Sequence, residues 1–460
     1  MDIFIDADSA RGLAEQIYEQ IRAGIVDGRL DSGDRLPPSR ELAATLGVSR
    51  HTVTTAYGRL SAEGYLDGRR GGGTVVSGLF VANGRRPPDA PPAAMSAARD
   101  TGRVVFDLRA GTPDPRLFPT VEWSRQLRRA VDRHAGAYGD PAGIAELRQV
   151  LARWIARSRG VEADPRQLVV TSGAQQALYL LARVRVRRGD VVAIEDPGYQ
   201  PFRRVLELVG ADVVPVPVDD EGMVVDAVPS AARLVYVTPS HQFPTGVTMS
   251  LRRRMALLSL ARRHGMVIAE DDYDSEYRHV DRPLEPLFRL DRDGLVVYVA
   301  SFSKILSPAL RLGFAVVPPP LLSEVVDLRL LIDWASSAVD QLALHGFVAD
   351  GRLDRHLRRA RRVYQSRHQR VSTWLGRLAG LGIVDAPVSN AGLHVSARLR
   401  GGRSEAQILG RLAERGVAIE GFGSYGAHAV AAGLVIGFGL VDDAALGEAL
   451  PAVEDVLMEA

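Results

Sequence analysis

Between residues 168 and 317 the chain alternates short, unbroken β-branched apolar runs with amphipathic helical stretches. QLVVTSG leads into AQQALYLLARV, and DVVAIEDPGY leads into PFRRVLELVG. RLVYVTPSH precedes SLRRRMALLSLARRHG, and MVIAEDDYDSEY, GLVVYVASFSK and LRLGFAVVP follow. Apolar runs of this kind belong to strands buried on both faces, and strands separated by helices form a mostly parallel sheet covered by helices, an α/β architecture. In such sheets the loops at the carboxyl ends of the strands carry function. The polar clusters TSGAQQ, EDPGY, TPSHQ, EDDYD and SFSK fall there.

One of those clusters holds the only lysine in 460 residues. Lys and Arg together number 57, and all but Lys304 are arginine. Arginine replaces lysine as a surface charge but stays protonated and offers no primary amine. Composition alone leaves two readings of Lys304 open: chance survival in an arginine-biased chain, or retained amine chemistry. The absence of cysteine excludes disulfides, thiol catalysis and thiolate metal sites. Charge interrupts every apolar run well before about 18 residues, so no membrane-spanning helix is expected. The opening MDIFIDADSARG has no apolar signal-type stretch, and a soluble, cytoplasmic protein is expected.

The clusters around Lys304 complement one another chemically. Ser172, Gly173, Ala174 and Gln175 make a small-residue turn into a helix, where backbone N–H groups and the helix dipole favour a phosphate. Ser301, Ser303 and Arg311 offer hydroxyl and guanidinium ligands to the same group. Tyr199 supplies an aromatic face. Asp271 and Tyr273 end an apolar strand, and a buried carboxylate there can hold a proton on a pyridine-type nitrogen while a tyrosine hydroxyl donates to a ring phenolate oxygen. Each piece alone has an ordinary structural reading. The acidic run from Glu270 to Glu276 by itself reads first as a solvated strand end and only second as a Mg²⁺ site. Taken in order along one sheet, the pieces are what a pyridoxal phosphate (PLP) Schiff base requires.

The N-terminal segment is organised differently. Leu13, Ile17, Ile21 and Ile25 mark an amphipathic helix that stops near Gly28. Ser39 is the expected N-cap of a second helix that ends at Gly47. Ser49 caps a third, with Val53, Tyr57 and Leu60 on its buried face. Two short helices across a Gly-containing turn make a helix-turn-helix, and DGRRGGGTVVSG reads as a Gly-tipped wing. The third helix enters the major groove by its N-terminal end, which makes Ser49, Arg50, His51, Thr52 and Thr55 the readers. Arg40 suits a phosphate, and Arg69 and Arg70 on the wing suit backbone or minor groove. Residues 1–78 carry nine Arg against eleven Asp and Glu, so net charge does not announce DNA; the order of elements does. Residues 79–103, rich in Pro, Ala and Arg, form the expected linker, which separates units 1–78 and 104–460.

About 65 of the first 78 residues resemble the winged-helix domain of GntR-type bacterial regulators. From about residue 104, the segments DLRAGTPDPRLFP, YGDPAGIAELR, TSGAQQAL, EDPGY, TPSHQFPTG, EDDYDSEY and SFSKILSPALRLGF resemble fold-type I aminotransferases, with their large and small domains. The combination resembles the MocR/GabR subfamily of GntR-type transcription regulators. That resemblance implies that Lys304 is the Schiff-base lysine of PLP, that Asp271 pairs with the pyridine nitrogen, that Tyr273 reaches the ring oxygen and that Tyr199 stacks on the ring. It places the phosphate on Ser172 to Gln175, Ser301, Ser303 and Arg311. His241 and Gln242 fall near the cofactor face, and Tyr138 matches a tyrosine that reaches the neighbouring subunit's phosphate in aminotransferase dimers.

One departure stands out. Aminotransferases read the substrate carboxylate with an arginine near the C-terminal strand, whereas AAGLVIGFGL has none, which leaves Arg398 in GLHVSARL as a weak candidate. The expectation is a homodimeric, PLP-dependent regulator of a double-stranded DNA operator, sensing PLP or an amine and retaining at most residual transamination. The alternatives are a working aminotransferase with an appended DNA-binding module, and a regulator whose aminotransferase-like domain only dimerises.

Overall fold

The computed structural model describes residues 3–6, 11–69, 73–77, 104–133, 136, 138–278, 285–386, 389, 391–427 and 431–459. The linker 79–103 and Arg70 lie outside the described residues, as does the side chain of Arg69. The chain forms two compact units, Met1–Asp100 and Thr101–Ala460.

In the first unit, helices Leu13–Val26, Ser39–Leu46 and Arg50–Ala62 precede an antiparallel hairpin of Leu66–Arg69 with Gly73–Val76. The expected stripe is the core: Ile17, Ile21, Val53 and Leu60 are fully enclosed, with Leu36, Leu42, Leu66 and Val76 against them. Each such side chain contributes about 1.5–3 kcal/mol by leaving water. Gly47 sits at φ 66°, a left-handed turn that a side chain resists and that lets the second helix stop and the third begin. Ser39 is not the N-cap expected from sequence. Pro38 takes that place, because its fixed φ of −54° already suits the entry, and Ser39 becomes the first helical residue. Ser49 does cap its helix, accepting the Thr52 N–H at 3.1 Å.

The second unit is built on an eight-stranded sheet. Its spatial order is Leu168–Thr171, Gly313–Val316, Val296–Ser301, Val267–Asp272, Leu234–Val237, Val191–Asp196, Asp212–Asp219 and Gly222–Met223. From Val296–Ser301 through Asp212–Asp219 neighbouring strands run parallel, as the strand–helix alternation demands; Gly313–Val316 runs against both of its neighbours. The central strands are buried at every position because helices cover both faces. A smaller antiparallel sheet of Val384–Asp385, His394–Leu399, Gly433–Gly437 and Glu420–Gly421 forms the C-terminal part. The segment entering this unit is tied to it: Phe106–Asp107 pairs with Val417–Ala418, and Gly437 donates its N–H to Leu108 O at 2.7 Å.

Candidate functional site

The reversed strand assembles the site. Ser301 stands opposite Gly313, and Gly313 stands opposite Thr171. Three strand ends therefore meet: one leading to Ser172 and Gly173, one to Lys304, and one preceded by Arg311. A Cβ on Gly313 would come within 2.8 Å of Gly173 Cα, so glycine is required for the approach. Gly173, at φ 92°, is the N-cap of helix Ala174–Arg185 and has no capping side chain, which leaves the helix N–H groups facing outward. Arg311 donates to Ser172 O at 2.7 Å, and its guanidinium would touch any side chain on Gly173. Ser303 donates its N–H to Ser301 Oγ at 3.0 Å. The Gln175 amide nitrogen donates to Pro201 O at 3.2 Å while its Oε1 is buried without a partner. The sequence-derived phosphate ligands Ser172, Gly173, Ala174, Gln175, Ser301, Ser303 and Arg311 thus sit at three adjoining strand ends.

Lys304 donates its amine to Gly111 O. Burial lowers its pKa; Asp274 and Asp271 draw it upward and Arg311 pushes it down. A lowered ammonium pKa leaves more free amine at neutral pH, the form that attacks a carbonyl. Asp271 lies on the neighbouring strand. Tyr236 donates to its Oδ2 at 2.9 Å, and its Oδ1 is buried without a partner. Burial pushes the Asp271 carboxyl up to about 7, partly opposed by the Tyr236 hydrogen bond. Tyr273 lies 3.1 Å from His241 Nδ1, and burial raises its phenol well above the usual value. Burial likewise takes Tyr199 to about 12; its ring meets Phe243 edge-on at 6.3 Å.

Several expectations are corrected here. The acidic run is buried rather than solvated. Glu270 accepts the N–H groups of Leu287 and Phe288 at 2.9 and 2.8 Å, and Arg159 ion-pairs with Asp272 at 3.3 Å and Glu276 at 2.7 Å. Asp272 does point away from Asp271, yet it is as buried, because this sheet has no solvent face. Gln242 brackets the loops around it. Its amide nitrogen holds Glu195, Pro197 O and Phe243 O, and its carbonyl holds Thr245. Arg398, on the small sheet, pairs with Asp220 at 3.1 Å.

His241, expected near the cofactor face, is joined by residues that the sequence did not single out, among them Ser389 and His394. His241 Nδ1 lies 3.1 Å from both oxygens of Asp274, and its Nε2 lies 3.2 Å from Ser389 Oγ. His394 stacks at 4.6 Å on His241 and bonds Pro244 O at 3.1 Å; burial drives its pKa down to about 3. Donor atoms of His241, Asp274 and His394 lie within 4.8 Å of one another. Phe243 packs against Tyr273, His394 and Tyr425, and Glu420 accepts the Ala110 N–H at 3.2 Å. The Gly in DLRAG, at φ 87°, was the one local signal for the strap that receives Lys304.

Tyr138 is 83% exposed and packs on Trp334 at 4.7 Å. On the DNA-binding unit, Arg40, Ser49, Arg50 and Thr55 are exposed and Thr52 is half-buried. Arg50 Nε lies 3.4 Å from Ser39 Oγ, which holds the two helix starts together, while the Thr55 hydroxyl donates to His51 O at 2.9 Å. No helix among the described residues is long and apolar enough to cross a membrane.

Fold and site define a transcription regulator with a winged helix-turn-helix and an aminotransferase-type ligand domain. Residues 13–76 match the bacterial regulatory proteins of the gntR family, and residues 104–444 match aminotransferase class I and II. The chain is 38% identical over 419 residues to the probable rhizopine catabolism regulatory protein MocR of Rhizobium meliloti, covering 86% of this chain and 83% of that one. It is 32% identical to the HTH-type pyridoxine biosynthesis transcriptional regulator PdxR of Corynebacterium glutamicum, covering 99% and 98%. Among solved structures, Pyrococcus horikoshii kynurenine aminotransferase, in complex with PMP, superposes with TM-score 0.71 at 28% identity, covering 78% of this chain and 92% of that one. The chain belongs to the MocR/GabR subfamily of GntR-type regulators.

Proposed function

We propose that the C-terminal unit binds PLP at Lys304 and senses PLP itself, or an amine that condenses with it, and that the N-terminal unit carries this state to a double-stranded operator. The observation that carries the reading is the pairing of a deprotonation-prone amine with a buried carboxylate that has one oxygen left over. When bound, PLP supplies an aldehyde that condenses with primary amines. The chain's own residues do the rest. Asp271 Oδ1 would accept the pyridine N–H, Tyr273 would donate to the ring oxygen, Tyr199 would cover the ring face, and His241 would orient Tyr273. Ser172 to Gln175, Ser301, Ser303 and Arg311 hold the phosphate. Tyr138, exposed in the single chain, reaches the partner's phosphate in a cytoplasmic homodimer. Arg40, Ser49, Arg50, Thr52, Thr55, Arg69 and Arg70 meet the DNA. The two relatives named for rhizopine catabolism and pyridoxine biosynthesis support regulation of small-molecule metabolism.

An effector must bind the DNA-competent and incompetent states unequally to switch them. The test is purified full-length protein: borohydride should trap PLP on Lys304, and operator affinity should change on adding PLP or an amine. Untrapped PLP with unaltered DNA affinity rejects the proposal. Transamination is the second reading, favoured by the intact Lys304–Asp271 pair. Amino-group transfer to a 2-oxo acid in the same preparation decides it.

A further inference from the structure

We propose that His241, Asp274 and His394 form a binding site for a divalent transition ion of the zinc class. The site goes beyond the proposed function and does not depend on PLP.

The protons in this cluster can be counted. His394 Nε2 lies 3.1 Å from Pro244 O, and a carbonyl only accepts, so Nε2 carries the N–H. In a neutral imidazole the lone pair is then on Nδ1. Ser389 donates its hydroxyl proton to Ala391 O at 3.1 Å, so its oxygen accepts from His241 Nε2 at 3.2 Å. His241 Nε2 therefore carries an N–H as well, and His241 Nδ1 holds the lone pair. That nitrogen faces both oxygens of Asp274 at 3.1 Å. The Tyr273 hydroxyl, 3.1 Å from the same nitrogen, can satisfy the lone pair but does not neutralise the carboxylate. Donor atoms of all three side chains lie within 4.8 Å of one another, and each residue is at most 2% exposed. An enclosed carboxylate among lone pairs calls for a positive charge, and buried charges are paired or coordinate metals.

The ligand set selects the ion. Two imidazoles and a carboxylate suit zinc, whereas Mg²⁺ and Ca²⁺ take oxygen ligands. The outward N–H bonds to Ser389 and Pro244 are those that metal-ligating histidines make, because they fix tautomer and ring orientation. A tetrahedral ion with bonds of about 2.0–2.2 Å keeps its ligands about 3.3–3.6 Å apart, so this cluster needs little movement to close on one. The two rings already stack at 4.6 Å. Gly392 holds the flank, since a Cβ there would collide with His241 Cε1 and Asp274 Oδ2. Tyr273, in contact with His241, is half-buried and puts the cluster one side chain from solvent.

The test uses full-length protein stripped of PLP and treated with a chelator. Calorimetric titration with Zn²⁺ should show one tight site per chain, and Mg²⁺ at the same concentration should show none. Asp274→Asn and His394→Gln should each weaken Zn²⁺ binding more than tenfold. Ser389→Ala removes only the acceptor of the His241 N–H and should weaken it about ten- to a hundredfold. Co²⁺ in place of zinc should give the strong visible absorption of a four-coordinate site with nitrogen and oxygen ligands. That spectrum is read on the unaltered chain, so it decides the matter if the buried variants fail to fold. Equal Zn²⁺ binding by wild type and folded variants, as surface histidines would give, overturns the inference. So does the faint colour of six-coordinate Co²⁺, or no Zn²⁺ uptake, which would leave a proton on His241 as the positive charge. No arm contains PLP, so failure here leaves the proposed function standing.

Discussion

Tyr236 donates its hydroxyl to one oxygen of Asp271 at 2.9 Å and leaves the other oxygen buried without a partner. The carboxylate is thus held in place by one group and kept open for another. Burial sets its proton affinity, and the hydrogen bond sets its direction. Tyr236 is itself fully buried on the adjacent strand, so the arrangement belongs to the sheet rather than to a loop.

Asp271 therefore predicts a pH signature in protein stripped of PLP. Its folded pKa, about 7, lies above the ordinary aspartate value of 3.8, so the folded state holds the proton more tightly. The stabilisation is fully present below 3.8 and is lost as pH rises through about 7. Asp271→Asn should flatten that part of the thermal-midpoint profile and weaken PLP binding. An unchanged profile together with unchanged PLP affinity would show that the residue titrates normally.

Lys304→Ala should abolish covalent PLP outright, since the chain holds no second lysine. Borohydride treatment followed by intact mass is the measurement. A reduced PLP adduct on the variant would contradict the assignment.

Asp272→Asn should behave differently from its neighbour. It breaks an ion pair whose members, Arg159 and Asp272, are 1% and 2% exposed in their side chains. Leaving Arg159 with one fewer anion in that enclosed site costs about 3–5 kcal/mol. Denaturant unfolding should show the loss in protein without PLP. Undiminished stability, with PLP binding lost instead, would reverse the roles given to the two aspartates.

For the winged helix, Ser49→Ala and Arg50→Ala separate folding from recognition. Ser49 caps the helix, so its loss should cost about 0.5–2 kcal/mol of stability. Arg50 should cost about 1–3 kcal/mol of operator binding if it reads a base, and should relax the preference over scrambled DNA. A uniform loss on both DNAs assigns Arg50 to phosphate, and no loss on either removes this helix from the interface.

Much of this was legible in the sequence for a physical reason. Strands buried on both faces must be apolar throughout, so Leu168–Thr171, Val191–Asp196 and Val296–Ser301 stand out against amphipathic helices. Polar residues at their ends, such as Lys304 and Asp271, then stand out as functional. The same full burial hid the role of Asp272, because alternation along a strand separates core from surface only where one face is wet. His394 and Ser389 were not readable, since they reach the site through long-range pairing of the small sheet, which leaves no local spacing. Arg398 looked plausible only until that sheet turned it toward Asp220.

The antiparallel strand Gly313–Val316 has a kinetic consequence. It joins Thr171, from the beginning of the large sheet, to Ser301, near the end of that sheet's sequence. Contacts so distant along the chain raise contact order and slow folding, because loop closure must precede any gain from pairing. The three strand ends around Lys304 cannot face one another until almost the whole sheet has been made. Under the proposed function, the ability to hold PLP would be acquired late in folding, and retention of the cofactor would report on a fully folded unit rather than on a partly folded one.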